Sequence, residues 1–129
     1  MKTMKEMNDK DFMTVYDACR EKGMWTLERC IPEPMTVTGG APNQPKQTWV
    51  VPDGMCGFAW IQIWPGNCRF ANWLRKMRLA SNCYDGGVSI WVSEGGQSIS
   101  KKEAYAEAFD AELKKQIPEI TSCARSRLD

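Results

Sequence analysis

The chain has 129 residues, of which 43% are hydrophobic and 26% charged, enough for one domain that buries roughly two-thirds of the surface its unfolded form exposes. Seventeen Lys and Arg against sixteen Asp and Glu leave no global charge field to draw it to nucleic acid or to a membrane, and no run approaches the ~18 apolar residues of a membrane span. The lack of histidine removes the commonest general base and proton shuttle.

The start of the chain alternates charge with Met instead of building an apolar leader, so a cytosolic protein is expected. Asn8 or Asp9 can cap a first helix running to about Lys22, with Phe12, Val15, Tyr16 and Cys19 forming its buried stripe and Gly23 as its stop. Met24 to Cys30 has no clear pattern, although Trp25 and Leu27 can extend the apolar surface. From Ile31 onward four prolines and two glycines make a connector up to residue 47, with a short edge strand over Pro34 to Thr38 and an exposed GGAPNQP loop after it.

Thr48 to Val51, the Pro52-Asp53-Gly54 turn signal and Gly57 to Trp64 read together as a hairpin. Alternation along the second strand puts Phe58, Trp60, Gln62 and Trp64 on one face and Ala59, Ile61 and Ile63 on the other. After Pro65-Gly66, Asn67 can cap a second helix with Phe70, Trp73, Leu74 and Met77 inward. The same turn can offer N–H groups to an anion beside Arg69, although a plain strand-to-helix turn accounts for it. Asp85-Gly86-Gly87 turns the chain into Val88 to Ser93, which alternates Val88, Ile90 and Val92 with Ser89, Trp91 and Ser93.

Ser100 and Glu103 have capping-box spacing and open a helix over about Lys101 to Gln116. Its inward residues are Tyr105, Ala108, Phe109 and Leu113, with Glu103, Glu107, Asp110 and Lys114 in solvent. Glu119 to Leu128 supplies a last strand, with Ile120, Ser122, Ala124, Ser126 and Leu128 opposite Thr121, Cys123, Arg125 and Arg127. The expected fold is therefore α+β and a single domain: a mixed or antiparallel sheet of 4–5 strands with about three helices, two of them over one face. Residues 1–30 form its N-terminal helical segment, 31–47 the connector and 48–129 the α+β core.

The segments PDGMCGFAWIQIWPGNCRFANWL, GGVSIWVSEGGQS, KKEAYAEAF and SRLD resemble a family of small, mostly uncharacterised proteins encoded by bacteriophages. The resemblance spans residues 52–129 and carries no catalytic residues with it. It implies a phage accessory protein acting in the host cytoplasm.

Six cysteines, with no C-x-x-C pair and no His, argue against a zinc site and are expected to be mostly reduced, buried thiols. Cys56 and Cys68 sit where a nucleophile could, but neither has a His to activate it. No catalytic residue, metal or cofactor is expected. Strand pairing can bring Trp91 to the side of Trp60 and Trp64, giving an aromatic face that the first helix, through Phe12, Val15 and Tyr16, either covers or leaves open. Arg69, Arg75, Lys76 and Arg78 lie in a window from Gly54 to Tyr84 that holds no acid, and Arg125 and Arg127 follow in the last strand. Trp60, Trp64 and Trp91 with these six basic residues form the candidate binding surface. The leading expectation is a non-enzymatic inhibitor or sequestering protein for a component of a host system such as an antiviral defence, with a bacterial protein or complex as partner. A single-stranded nucleic-acid binder and a nucleotide or small-molecule sponge are the alternatives. No membrane partner is expected, and an uncovered aromatic face is compatible with a homo-oligomer.

Overall fold

Strand β3 (Gly57–Trp64) is the spine of the molecule, because both of its edges are paired. The computed structural model describes residues 3–31, 35–39, 47–51 and 55–128. Along the chain, α1 (Asp9–Arg29) precedes β1 (Met35–Gly39), β2 (Gln47–Val51) and β3. Next come α2 (Arg69–Lys76), β4 (Ser81–Asn82), β5 (Val88–Trp91), α3 (Ile99–Gln116) and β6 (Thr121–Leu128). The main sheet is antiparallel with order β4-β5-β3-β6, so the fold is α+β, with three α-helices and a four-stranded sheet among the described residues.

β1 and β2 pair with each other as a separate two-stranded sheet, Met35 opposite Val51 and Gly39 opposite Gln47. This corrects the hairpin expected between Thr48–Val51 and Gly57–Trp64. β3 takes its partners from later in the chain, where β5 and β6 match its two-faced pattern along both edges. The turn signal at residues 52–54 and the loop at 40–46 lie outside the described residues.

Ala59, Ile61 and Ile63 are fully buried, with Val88, Ile90 and Val92 beside them on the same face. Burial of each aliphatic chain contributes roughly 1.5–3 kcal/mol. The helices gather on this face. α3 lies on β3 and β6, and α1 packs along α3 and touches α2. Phe12 of α1 meets Phe70 and Trp73 of α2, while Tyr16 bridges Trp73 and Phe109 of α3. One buried cluster therefore joins all three helices to the sheet.

Asn8 caps α1 by accepting from the Asp11 N–H at 2.9 Å, and Asp11 Oδ2 accepts the Asn8 N–H at 3.0 Å. The helix runs through Gly23 to Arg29, beyond the expected stop. Gly23 is buried against α3, and a Cβ there would sit 2.8 Å from the Tyr105 ring. It is thus a crossing point and not a terminus: the missing side chain lets an aromatic ring approach the helix backbone.

α2 is capped by the Cys68 thiol accepting from the Ala71 N–H at 3.4 Å, not by Asn67. It ends at Lys76, which leaves Met77 exposed while Phe70, Trp73 and Leu74 are buried as expected. α3 is capped by Ser98, whose hydroxyl accepts from the Lys101 N–H at 3.4 Å; Ser100 does not cap it. The difference follows from the preceding chain, because the Cys56–Ser98 bridge and the Ile99 N–H to Met55 carbonyl bond at 3.0 Å fix Ser98 before the helix can start later. Glu103 instead accepts from the Ser126 hydroxyl of β6 at 3.2 Å. Asp110, expected in solvent, is buried and paired with Lys114 at 2.9 Å. Packed between sheet and α1, α3 buries a wider arc than one stripe.

The cysteines are free, but only Cys19 is fully buried; Cys56 is exposed and the other four are half-buried. Burial, then Glu112 and Asp110, push the Cys19 thiol up to about 12, so it behaves as a core methyl-like group.

Replacing Gly23 with Ala tests the crossing. Overpacking against the Tyr105 ring, at about 1–3 kcal/mol, should outweigh the ~1 kcal/mol gain in helix propensity. The expected outcome is a lower urea midpoint with an unchanged m-value, whereas a raised midpoint would show that the helices do not meet closely here.

Candidate functional site

With the helices on the aliphatic side, the opposite face of the sheet carries no helix among the described residues. α1 does not cover it: Phe12 and Val15 are buried in the helical layer, and Tyr16 packs against Trp73 and Phe109 there. Burial raises the Tyr16 phenol above its ordinary value.

The register builds the open face row by row. Trp60 stands opposite Trp91 of β5 on one side and Arg125 of β6 on the other. Phe58 stands opposite Arg127, and Gln62 opposite Ser89 and Cys123. The Trp60 and Trp91 rings lie 5.0 Å apart at 30°, and Phe58 meets Trp91 edge-on at 6.1 Å. Trp91 remains 48% exposed, so the centre of the sheet presents an indole surface to solvent.

Gln62 is the one amide among the aromatic side chains of β3 and is fully buried. Its Nε2 donates to Asp85 Oδ1 at 3.0 Å and to the Gly86 carbonyl at 2.8 Å, and its Oε1 accepts from Arg125 at 2.6 Å. Arg125 also donates to Asp85 Oδ2 at 2.9 Å, which closes a three-membered ring of side chains. Every polar position of the amide is engaged except one lone pair, so its burial carries little desolvation penalty. Asp85 reaches it because Gly86 and Gly87 adopt φ of 109° and 70°, and a Cβ at Gly87 would collide with the Ile63 carbonyl at 2.3 Å. A glycine is therefore required for the turn to close onto β3.

These groups surround an open groove of about 260 Å³, with Trp60 and Trp91 along it, Arg125 and Arg127 on the β6 side, and Tyr84 and Asp85 on the turn. Tyr84 is fully exposed. The Arg127 guanidinium lies 5.4 Å from the Phe58 ring centroid and has no acidic partner among the described residues.

The nine expected binding residues thus separate. Trp60, Trp91, Arg125 and Arg127 come together in the groove. Trp64 shares their face but packs against the Gly86-Gly87 turn and is not part of the groove lining. Arg69 donates to the Met7 carbonyl at 2.7 Å, and Lys76 pairs with Asp9 at 3.1 Å, both tying α2 to the N-terminal segment. The turn before α2 uses the Cys68 N–H internally, to the Pro65 carbonyl at 3.1 Å, and Arg69 points away to Met7, so no anion cradle forms there. Arg75 reaches Asn82 of β4 at 3.1 Å, which puts it near the rim but outside the groove. Arg78 is exposed after the end of α2, with φ of 60°.

Sequence reasoning put Gln62 on this face but missed its bonds to the turn and to Arg125, and it missed Asp85 and Tyr84 as members of the face. The lone amide in an aromatic strand was the signal for the first. The other two depend on how the glycine turn folds back.

Among the described residues no three His, Cys, Asp or Glu side chains assemble into a metal site, and no helix is long and apolar enough to cross a membrane. Comparison with known proteins finds no matching family model, no matching curated protein and no matching solved structure.

Arg125 first, then Gln62, holds the Asp85 carboxyl below its ordinary value of 3.8. A depressed carboxylate stabilises the fold above that ordinary value, and the contribution is lost as pH falls through the lower folded value. An NMR titration of the Asp85 carboxyl should therefore give a midpoint below 3.8, moving upward in Arg125→Ala. A midpoint unaffected by that substitution would contradict the three-membered network.

Proposed function

We propose that this chain is a non-catalytic binding protein that captures its partner on the open aromatic face of the sheet. In this proposal it serves as a phage accessory protein that inhibits or sequesters a component of a host system, such as an antiviral defence, in the host cytoplasm. One observation carries the binding role: the Trp60–Trp91 pair stands at the centre of a sheet whose helices all gather on the other side. Exposed indole surface has a hydrophobic cost, and tryptophan with arginine is the pair most enriched where binding energy concentrates. The phage setting is supported by the sequence resemblance of residues 52–129.

A bacterial protein, a single nucleic-acid strand and a free nucleotide are the partner classes compatible with such a face. In each case the protein contributes shape and charge, and no bond in the partner is made or broken.

Trp91 makes the sharpest probe, since its half-exposed ring can be removed without opening the core. Trp91→Ala should keep the circular dichroism and thermal midpoint of the parent within a few degrees. Recovery of the co-purifying partner from phage-infected cells, measured by quantitative mass spectrometry, should fall at least about tenfold, as for a central interface tryptophan. Equal recovery by parent and variant would remove the open face as the working surface.

A further inference from the structure

We infer that the occupant of the open face is a single strand of nucleic acid, stacked on Trp91 and Trp60 with its phosphates on Arg125 and Arg127. This inference rests on the open face being the working surface.

The strand pairing contains a repeat. Antiparallel register puts Arg125 directly beside Trp60 and Arg127 directly beside Phe58. Each is an aromatic ring next to a guanidinium, and the second pair lies two residues along the strands, about 7 Å from the first. A single strand repeats one flat base and one anionic phosphate per unit. A face that repeats one ring and one cation in the same order complements such a polymer better than it complements a lone nucleotide, which would use one pair and leave the other idle.

Charge favours the same occupant. Over the whole chain basic and acidic residues nearly cancel, 17 against 16. The groove, however, has two guanidiniums against the single carboxylate of Asp85, and that carboxylate is already neutralised by Arg125. A further anion would meet Arg127 without an acidic competitor among the described residues.

Stacking also explains why the aromatics are open on a flat surface. Bases in a single strand can unstack and lie on a ring face, whereas in a duplex both faces of each interior base are occupied. Such binding tolerates many sequences, because every base has a π-face. The basic residues of α2 take no part, since Arg69 and Lys76 are bound to the N-terminal segment on the helical side.

Fluorescence anisotropy of the full chain with labelled ten-nucleotide DNA and RNA of mixed sequence, and with the matching duplex, tests this. Saturable binding to a single strand is expected, at least about tenfold tighter than to the duplex. With the Arg125 charge already balanced by Asp85, only the phosphate on Arg127 adds a neutralised charge, so log K should fall with log salt at a slope of about −0.7. Arg127→Ala should flatten that slope by about 0.7, and Trp91→Ala should weaken binding about tenfold. Trp91→Phe, which keeps a ring, should retain most of the affinity, and Lys76→Ala should change nothing. Absence of binding to either oligonucleotide, equal affinity for duplex, or indifference to both Trp91→Ala and Arg127→Ala would overturn the inference. If oligonucleotides fail while Trp91→Ala still abolishes recovery of a bacterial protein, or dissociates a dimer seen by light scattering, the occupant is wrong and the open face stands. If no recovered partner, oligonucleotide or dimer responds to Trp91→Ala, both proposals fall.

Discussion

The alternation of β3 between aliphatic and aromatic side chains is the constraint on which the rest of the molecule depends. Ala59, Ile61 and Ile63 point to one side and Phe58, Trp60, Gln62 and Trp64 to the other, because successive residues of a strand face opposite ways. With β5 on one edge and β6 on the other, the aliphatic side becomes a continuous floor. A short turn after Trp64 delivers α2 to that side, and α3 lies along β3 and β6 there, so α1 finds its apolar partners on helices already seated. The open aromatic face is the remainder of that arrangement.

A remainder need not be passive. The buried Gln62 amide bonds the Asp85-Gly86 turn and Arg125 together beneath the groove, and so ties a loop, a central strand and an edge strand into one polar unit. Gln62 is fully buried while Asp85 and Arg125 are half-exposed, so it is the amide that holds the geometry, because displacing its partners would leave it unpaired out of water. The position of Arg125 beside Trp60 is thus set by the fold before any partner arrives. Preorganisation of this sort lowers the entropy lost when a partner binds.

Packing on the other side follows the same logic of close approach. Gly23 lets the Tyr105 ring reach the α1 backbone, and burial raises that phenol to about 12. Arg20 next to it reaches Glu94 at 3.6 Å, so the far end of the helical layer is closed by polar contacts while its middle is closed by rings. Cys19 fills the same layer as a small neutral group. The middle of the helical side is closed in this way, while towards the end of α1 Trp25 is 56% exposed with the Arg29 guanidinium 3.9 Å from its ring centroid.

Local pattern was enough to find β3, β5, β6 and all three helices, and to assign the faces of each strand. Period-two and period-3.6 alternation report which residues must be buried together, and burial of Phe70, Leu74, Tyr105, Phe109 and Leu113 agrees with it. Helix limits were less legible, because Gly23, Ser98 and Cys68 take their roles from neighbours distant in sequence. Pairing was not legible at all: Gln47–Val51 could join either Met35–Gly39 or β3 by pattern alone, and register, a cooperative property of two strands, selected the first. The sequence by itself determined that Phe58, Trp60, Gln62 and Trp64 share one face of β3, and that Trp91 points away from Val88, Ile90 and Val92 on its own strand. Only the tertiary structure decided that Trp91 joins Trp60, that no helix among the described residues covers this face, that Arg125 and Arg127 join it and that Arg69 and Lys76 do not, because which side a helix occupies depends on contacts among elements and not on the composition of any one of them.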